Sequence, residues 1–339
     1  MRIFVENFIS MEKVNKVIWG IVGAGDVCEV KSAPAFQLIS NSEVKNVMRR
    51  NAIKAEDFAK RHGISNWTTN LDDLLNDLEI NAIYIATPPD SHAEITIKAA
   101  QAGKAVYVEK PMANSYAECL QMIQACEAAN VPLFVAYYRR TLNGFLKIKE
   151  IVDNKLIGDV RFVSIEMNQP LNTTIVAKPE QNWRVMPEIS GGGYFHDLAS
   201  HQLDFLDFLF GPITVAKGLN YNQASNYRAD DIVSAVFRFP NNIIGTGTWC
   251  FSTHSVSEKD QIKIVGSKGE VEFNTFGNPM KIVLKTENGM NEFLYNHDQP
   301  IQKQLIELVV KELVGVGKSP STGVSGARTT LIMDNIINK

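Results

Sequence analysis

Three short stretches carry residue types that can do chemistry. The first is Tyr107-Val108-Glu109-Lys110-Pro111, in which a lysine closes an apolar run. An ammonium group at the end of a buried strand is an unusual choice unless a reaction needs its charge or its proton. The second is Gly191-Gly192-Gly193-Tyr194-Phe195-His196-Asp197-Leu198-Ala199-Ser200-His201. Asp197 and His201 stand four apart, so on a helix they share one face, one turn from each other. The three glycines are expected to leave the start of that helix open to a ligand. Imidazole, with an ordinary pKa of about 6.5, can give a proton to a developing alkoxide or take one from an alcohol. Lys110 can polarise or protonate such an oxygen, and burial beside other cations would lower its pKa. His201 is preferred as the acid/base and Lys110 as its electrostatic partner, although the residue types also allow the reverse. Asp197 can position hydroxyl groups by accepting hydrogen bonds. A zinc site on Asp197 and His201 lacks a Cys or His partner, so no metal is expected.

The third stretch is Gly23-Ala24-Gly25-Asp26-Val27-Cys28, after the apolar run Val17-Ile18-Trp19-Gly20-Ile21-Val22 and before a helix expected to run to about residue 38. Strand, glycine turn and helix in that order form the context a dinucleotide fingerprint requires. Gly23 allows the tight turn, and Gly25 lets the backbone approach a pyrophosphate at the helix N-terminus. Cys28 occupies the place of the third glycine, and its small side chain can still permit close helix–strand packing.

These stretches need a scaffold, and hydrophobic periodicity supplies one. Strands are expected at 17–22, 44–48, near Trp67, at 82–86, 104–108 and 131–136, with helices between them. Six strands alternating with helices make a doubly wound parallel sheet. Arg49 and Arg50 follow the second strand, where NAD-binding proteins carry an acidic residue about twenty positions past the glycines. Guanidinium groups suit a 2′-phosphate, which favours NADP and leaves NAD possible. Thr87, Pro88 and His92 fall where the fourth strand ends, the edge at which such sheets bind ligands. Ser91 or Asp90 is expected to cap the following helix, and Asn114 or Ser115 the helix after Pro111, with Glu118 completing a capping box.

Beyond Tyr137-Tyr138-Arg139-Arg140 the pattern changes to a helix at 143–153, a strand at 160–167 and a polar loop at about 168–190 containing Trp183 and Arg184. A helix at 194–210 follows, then consecutive strands with hairpin turns from 213 to 284, and two closing helices. The strand from Ile243 sets Ile243, Gly245, Gly247, Trp249 and Phe251 on one face and Ile244, Thr246, Thr248 and Cys250 on the other. Neither face is strongly polar, so both are expected to be covered, one of them by a second subunit. Trp183, Arg184, Tyr137 and Arg139 are candidate walls of a substrate cavity. His196, His62, His254 and His297 are read as structural.

Together the glycine turn, Glu109-Lys110-Pro111 and the Gly191–His201 motif resemble the family of glucose–fructose oxidoreductase, inositol dehydrogenase and rhizopine-catabolism proteins, over essentially the whole chain from residue 15. The resemblance implies a Rossmann domain (15–136, after an extension at 1–14) and a substrate-binding and oligomerisation domain (137–339) with an open, mainly antiparallel sheet. It implies hydride exchange between NAD(P) and an alcohol carbon of a sugar, polyol or related molecule. Lys110 would be catalytic, Asp197 and His201 would line the substrate site, Glu109 and Lys110 would lie at the cofactor, and the Lys110–Pro111 bond would be cis. Two relatives' activities stand as alternatives: a non-catalytic dinucleotide-binding regulator, and an NAD-dependent glycoside hydrolase.

Composition agrees. The 339 residues carry a formal charge of −3 with 45% hydrophobic and 21% charged residues, which argues against a nucleic-acid partner. No run is long enough to span a bilayer. Four scattered cysteines read as free thiols in a reducing cytoplasm. The expected partners are a small-molecule substrate and a second copy of the chain, as homodimer or homotetramer.

Overall fold

The computed structural model describes residues 13–25, 27–171 and 182–338. The chain forms two compact units. One contains the described residues up to Tyr138 together with Asp298–Ala327, and the other Arg139–His297 with the residues from Arg328 onward.

The first unit is built on six parallel strands, β1 (Val17–Val22), β2 (Ser42–Met48), β3 (Asn66–Thr68), β4 (Ala82–Ile85), β5 (Ala105–Val108) and β6 (Leu133–Val135), in the spatial order β3-β2-β1-β4-β5-β6. Every residue of β4 and β5 is buried, because helices cover both faces of a parallel sheet and leave no polar side. Between β1 and β4 the order of strands reverses, and the connections leave toward opposite faces. A doubly wound sheet opens a crevice at that point, along the carboxyl ends of its strands.

Local chemistry fixes the helix ends. Asn51 caps the helix Ala52–His62 by accepting from the Lys54 amide at 3.0 Å, and Gly63 ends it at φ 63°. Ser115 caps Tyr116–Ala128 by accepting from the Glu118 amide at 3.3 Å, while Glu118 Oε2 accepts from the Asn114 amide at 2.9 Å. The expected cap at Ser91 or Asp90 is absent. Pro89–Ser91 forms a tight 3-10 turn, and Ser91 Oγ instead lies 2.7 Å from Thr87 Oγ1 and 2.9 Å from the Pro88 carbonyl oxygen. The proline pair shapes this connection into a turn stapled to the end of β4.

The second unit holds an eight-stranded sheet made of β7 (Val160–Asn168), β8 (Val215–Tyr221), β9 (Ile232–Arg238), β10 (Ile244–Cys250), β11 (Lys259–Gly266), β12 (Gly269–Phe273), β13 (Met280–Thr286) and β14 (Gly289–Tyr295). Its order is β14-β13-β12-β11-β7-β10-β9-β8, and among its neighbours β7 and β10 alone run parallel. Gly245, Gly247 and Trp249 face a buried side, whereas Ile244 and Thr246 are exposed on the other.

On the buried side lies the helix Ser200–Phe210, anchored by charge as well as by apolar packing. Arg140 grips Asp204 bidentately at 2.8 and 2.7 Å, and Arg328 grips Asp207 bidentately at 3.0 and 2.6 Å. Burial pushes the Asp204 carboxyl above its ordinary pKa, against the pull of Arg140. Trp249 Nε1 donates to Gln202 Oε1 at 2.7 Å, so the largest side chain of β10 also fixes the first turn of this helix.

Candidate functional site

In the first unit the ends of the parallel strands bring most of the predicted cofactor residues to one edge. Gly23 follows β1, Arg49 follows β2, Thr87 follows β4 and Lys110 follows β5. Gly23 has φ 89°, and a Cβ there would stand 2.8 Å from the Thr87 backbone nitrogen, so no other residue fits between β1 and β4. At Gly25 the situation is the opposite: a Cβ would meet nothing within 4 Å. Space is kept there, next to Val27, where the helical segment begins. Ala24 is buried beneath the turn, and Asp26 lies outside the described residues. That segment starts with a π-helical stretch, Cys28–Ser32, before the α-helix Ala33–Gln37. Cys28 is fully buried with Sγ 3.7 Å from the Gly23 carbonyl oxygen, and burial pushes its thiol up to about 12. It therefore packs as a small neutral side chain in the third glycine's place.

Arg49 is half-buried, and its charge acts on the Cys28 thiol beneath the glycine turn; Arg50 is exposed. Thr87, Pro88 and Lys110 are half-buried, and the Lys110–Pro111 bond is cis, as the resemblance implied. Glu109 and His92 turn inward. Glu109 Oε1 accepts from the Tyr84 hydroxyl at 2.6 Å and from Gln302 Nε2 at 2.6 Å. The His92 ring is fully buried, with Nε2 2.8 Å from the Thr87 carbonyl oxygen and Nδ1 3.1 and 3.2 Å from those of Pro111 and Met112. Tyr137, expected at a substrate cavity, is fully buried in the core with Val108 and Val135 and has no surface for a substrate to touch.

In the second unit three predicted substrate residues form one cluster. Asp197 Oδ2 accepts from Arg184 Nε at 3.1 Å, and the Arg184 guanidinium lies 4.5 Å from the Trp183 ring centroid. Asn182 Nδ2 donates to the Tyr194 hydroxyl at 2.7 Å, docking the end of the polar loop onto the same helical segment. Asp197 sits in a second π-helical stretch, Phe195–Ala199, and His201 opens the α-helix that continues it. Single π turns within helices frequently mark functional sites; of the two among the described residues, Phe195–Ala199 falls inside the Gly191–His201 motif and Cys28–Ser32 begins at the last residue of the glycine-turn motif. His201 is buried with its ring edge-on to Phe276 at 5.8 Å, and Arg139 stacks its guanidinium 4.4 Å from the centre of the same phenyl ring.

The three glycines do not leave an open helix start. Gly191 ends the preceding helix at φ 82°, a Cβ on Gly192 would collide with the His196 imidazole, and one on Gly193 would approach Ala229 Cβ to 2.5 Å. Close packing required them, and a run of glycines looks the same in sequence whichever need it serves. Sequence reasoning also missed the residues that hold the motifs: Gln302, Tyr84, Gln202, Phe276 and Asp260. Asp260 Oδ2 accepts from the Thr275 and Phe276 amides at 2.8 and 2.7 Å, and burial pushes its carboxyl upward. Their contacts span long sequence separations, 193 residues for Gln302 and Glu109, and no local pattern announces them.

The open space at Gly25 and the half-buried Arg49 at the end of the neighbouring strand fit a dinucleotide with its pyrophosphate at the turn. Among the described residues no three His, Cys, Asp or Glu side chains converge to hold a metal ion, and no helix is long and apolar enough to cross a membrane.

Comparison with known proteins gives a consistent picture. Residues 17–137 match the model of the oxidoreductase family with an NAD-binding Rossmann fold, and residues 145–272 match that of the GFO/IDH/MocA C-terminal domain. Oxidoreductase P35 of Formosa agariphila is 41% identical over 323 residues, covering 94% of this chain and 98% of that protein. Among solved structures, aldose–aldose oxidoreductase from Caulobacter crescentus with glycerol superposes with a TM-score of 0.81 at 23% identity, covering 94% of this chain and 96% of that one. Levoglucosan dehydrogenase in complex with NADH and levoglucosan superposes with a TM-score of 0.81 at 22% identity, covering 95% and 96%.

The buried imidazole of His92 makes one consequence measurable. Burial outweighs its carbonyl partners and holds its pKa below the ordinary histidine value. The unfolded chain therefore takes up a proton on His92 at higher pH than the folded chain does. Stability is lost as pH falls through about 6.5, and the loss stops below the folded pKa. Between about pH 7.5 and 5.5 the urea midpoint is expected to fall less steeply in His92→Gln than in wild type; equal slopes would contradict this assignment.

Proposed function

The chain belongs to the GFO/IDH/MocA oxidoreductase family, whose N-terminal domain is an NAD-binding Rossmann fold, and on that premise we propose that it transfers a hydride between NADP and a hydroxyl-bearing carbon of a sugar, polyol or related small molecule. The observation that carries this reading is the edge of the first sheet. There the space kept open at Gly25 and the ammonium of Lys110 follow β1 and β5, two strands separated only by β4. The bound nicotinamide supplies the acceptor or donor of the hydride. The chain's own residues do the rest. Gly23, Ala24, Gly25 and Val27 form the pyrophosphate turn, with Thr87, Pro88 and Lys110 beside the cofactor.

Oxidation of an alcohol carbon also requires removal of the hydroxyl proton, and reduction requires its return. His201 takes and gives that proton, while Lys110 stabilises negative charge on the oxygen. Asp197 and Arg184 offer an acceptor and a donor side by side, the arrangement that holds neighbouring hydroxyl groups, and Trp183 and Arg139 complete the wall. The bound levoglucosan of the similar dehydrogenase supports a sugar as the first substrate to try. In a panel of sugars and polyols followed by nicotinamide absorbance, Lys110→Ala and His201→Ala are each expected to lower kcat/KM by about 10²–10⁴-fold, as loss of a positioned acid or base does. Wild-type turnover in either variant would remove that residue from the mechanism.

The preference for NADP rests on Arg49 and Arg50, whose planar guanidinium groups pair bidentately with phosphate. Fluorescence titration is expected to show tighter binding of NADPH than of NADH, and Arg49→Ala should weaken NADPH by roughly tenfold or more while sparing NADH. Tighter NADH binding with no penalty from Arg49→Ala would overturn the preference.

The exposed face of the second sheet supports assembly into a homodimer or homotetramer. Val215, Arg238, Ile244 and Phe162 stand in register across β8, β9, β10 and β7, with Leu219, Tyr221 and Val236 exposed nearby. Exposed apolar side chains on both sides of Arg238 are the kind of surface that a second copy of the chain covers. Light scattering is expected to give a mass of two or four chains, falling to one in Leu219→Glu/Val236→Glu; a wild-type monomer would refute the interface.

A further inference from the structure

The geometry points to Glu109 and His92 as positioning residues that clamp the backbone on either side of Lys110, neither of them a cofactor contact. This inference rests on the catalytic reading of Lys110. A lysine just past the last residue of a strand has a flexible stem, so its Cα must be fixed by other means if the ammonium is to reach one oxygen repeatedly. Misplacement by about 1 Å can cost two orders of magnitude in rate.

On the upstream side, the Glu109 amide donates to the Ile85 carbonyl oxygen at 2.9 Å, the last tie to β4. The Glu109 side chain then enters a chain of five buried polar groups. Tyr107 donates its hydroxyl to Gln302 Oε1 at 3.0 Å, and Gln302 Nε2 and the Tyr84 hydroxyl both donate to Glu109 Oε1. The Tyr84 oxygen also lies 2.9 Å from Ser32 Oγ. A carboxylate only accepts, so the single phenol proton points at Glu109. The other oxygen, Oε2, lies 3.3 Å from the Lys110 amide nitrogen that donates to it. On the downstream side, the His92 ring lies between the carbonyl oxygen of Thr87, on Nε2, and those of Pro111 and Met112, on Nδ1, and its single N–H in the neutral form donates to one side at a time.

Lys110 is thus flanked by two buried, hydrogen-bonded anchors, one reaching the helix Lys303–Leu313 through Gln302 and the other reaching the turn after β4. Ser32, the last residue of the π-helical stretch behind the glycine turn, extends the upstream anchor to the segment that meets the cofactor. A buried carboxylate is costly unless it is fully paired. Glu109 therefore forces its partners into one arrangement, where an apolar side chain would permit several. The same five groups would be hard to justify as packing, since apolar residues of equal volume fill a core at no cost in desolvation.

The test reads the lysine amine itself. Reductive methylation with ¹³C-formaldehyde labels the lysines, and the Lys110 resonance is assigned by its loss in Lys110→Arg. Tyr84→Phe removes one oxygen and keeps the ring, Gln302→Leu removes the second donor, and His92→Gln opens the other anchor. Each is expected to move or broaden the Lys110 resonance. The NADPH dissociation constant should stay within about threefold of wild type, because the cofactor contacts are untouched. A Lys110 signal superimposable on wild type in Tyr84→Phe and His92→Gln would overturn the inference. So would loss of NADPH binding with that signal unmoved, which would assign the network to the glycine turn. Because the readout is not turnover, the clamp fails or holds independently of what Lys110→Ala does to catalysis.

Discussion

The approach of Gly23 to Thr87 is the constraint from which the first unit follows. β1 and β4 run parallel as neighbours, and the turns leaving their ends come so close that a single Cβ between them would strike backbone. Because the two connections then depart toward opposite faces of the sheet, a crevice remains above this junction. Gly25 keeps that crevice open, Arg49 and Lys110 flank it from the next strand ends, and Cys28 seals its floor. A larger residue at Gly23 would separate β1 from β4 and dismantle the whole row.

Polar groups buried near the functional side chains give the structure its specificity. In the first unit Glu109 collects Tyr84, Gln302 and Tyr107 around the segment bearing Lys110. In the second, Arg140 with Asp204 and Arg328 with Asp207 hold the helix Ser200–Phe210 that carries His201, while Gln202 joins Trp249 to Thr275. Such pairs contribute little net stability compared with apolar packing, and half-satisfied they are costly. Their value lies in admitting one geometry, which a reacting centre needs and a core alone does not guarantee.

Much of the scaffold could be read from residue order. Continuous apolar runs marked β4 and β5, and the helix Asn143–Asp153 was legible to its ends. Local spacing also brought Asp197 and His201 to one segment and Gly23 and Gly25 to one turn. Three kinds of feature escaped. The residues supporting the motifs lie far away in sequence, as Gln302 does from Glu109. The glycine triplet was read as a ligand opening, although His196 and Ala229 occupy the space a side chain would fill. Burial inverted expectations at His92, Glu109 and Tyr137, since position at a strand end predicts the edge reached by the backbone but not the direction of the side chain.

The central claim is that a dinucleotide lies across the first sheet's edge with its reactive ring beside Lys110. Crystals grown with NADP⁺ test it most directly. The account predicts the pyrophosphate against the backbone of Gly25 and Val27, the 2′-phosphate on Arg49 and the nicotinamide within hydrogen-bonding distance of a substrate oxygen held by Lys110. A cofactor bound with its nicotinamide remote from Lys110, or a glycine turn left empty at saturating NADP⁺ and NAD⁺, would contradict it.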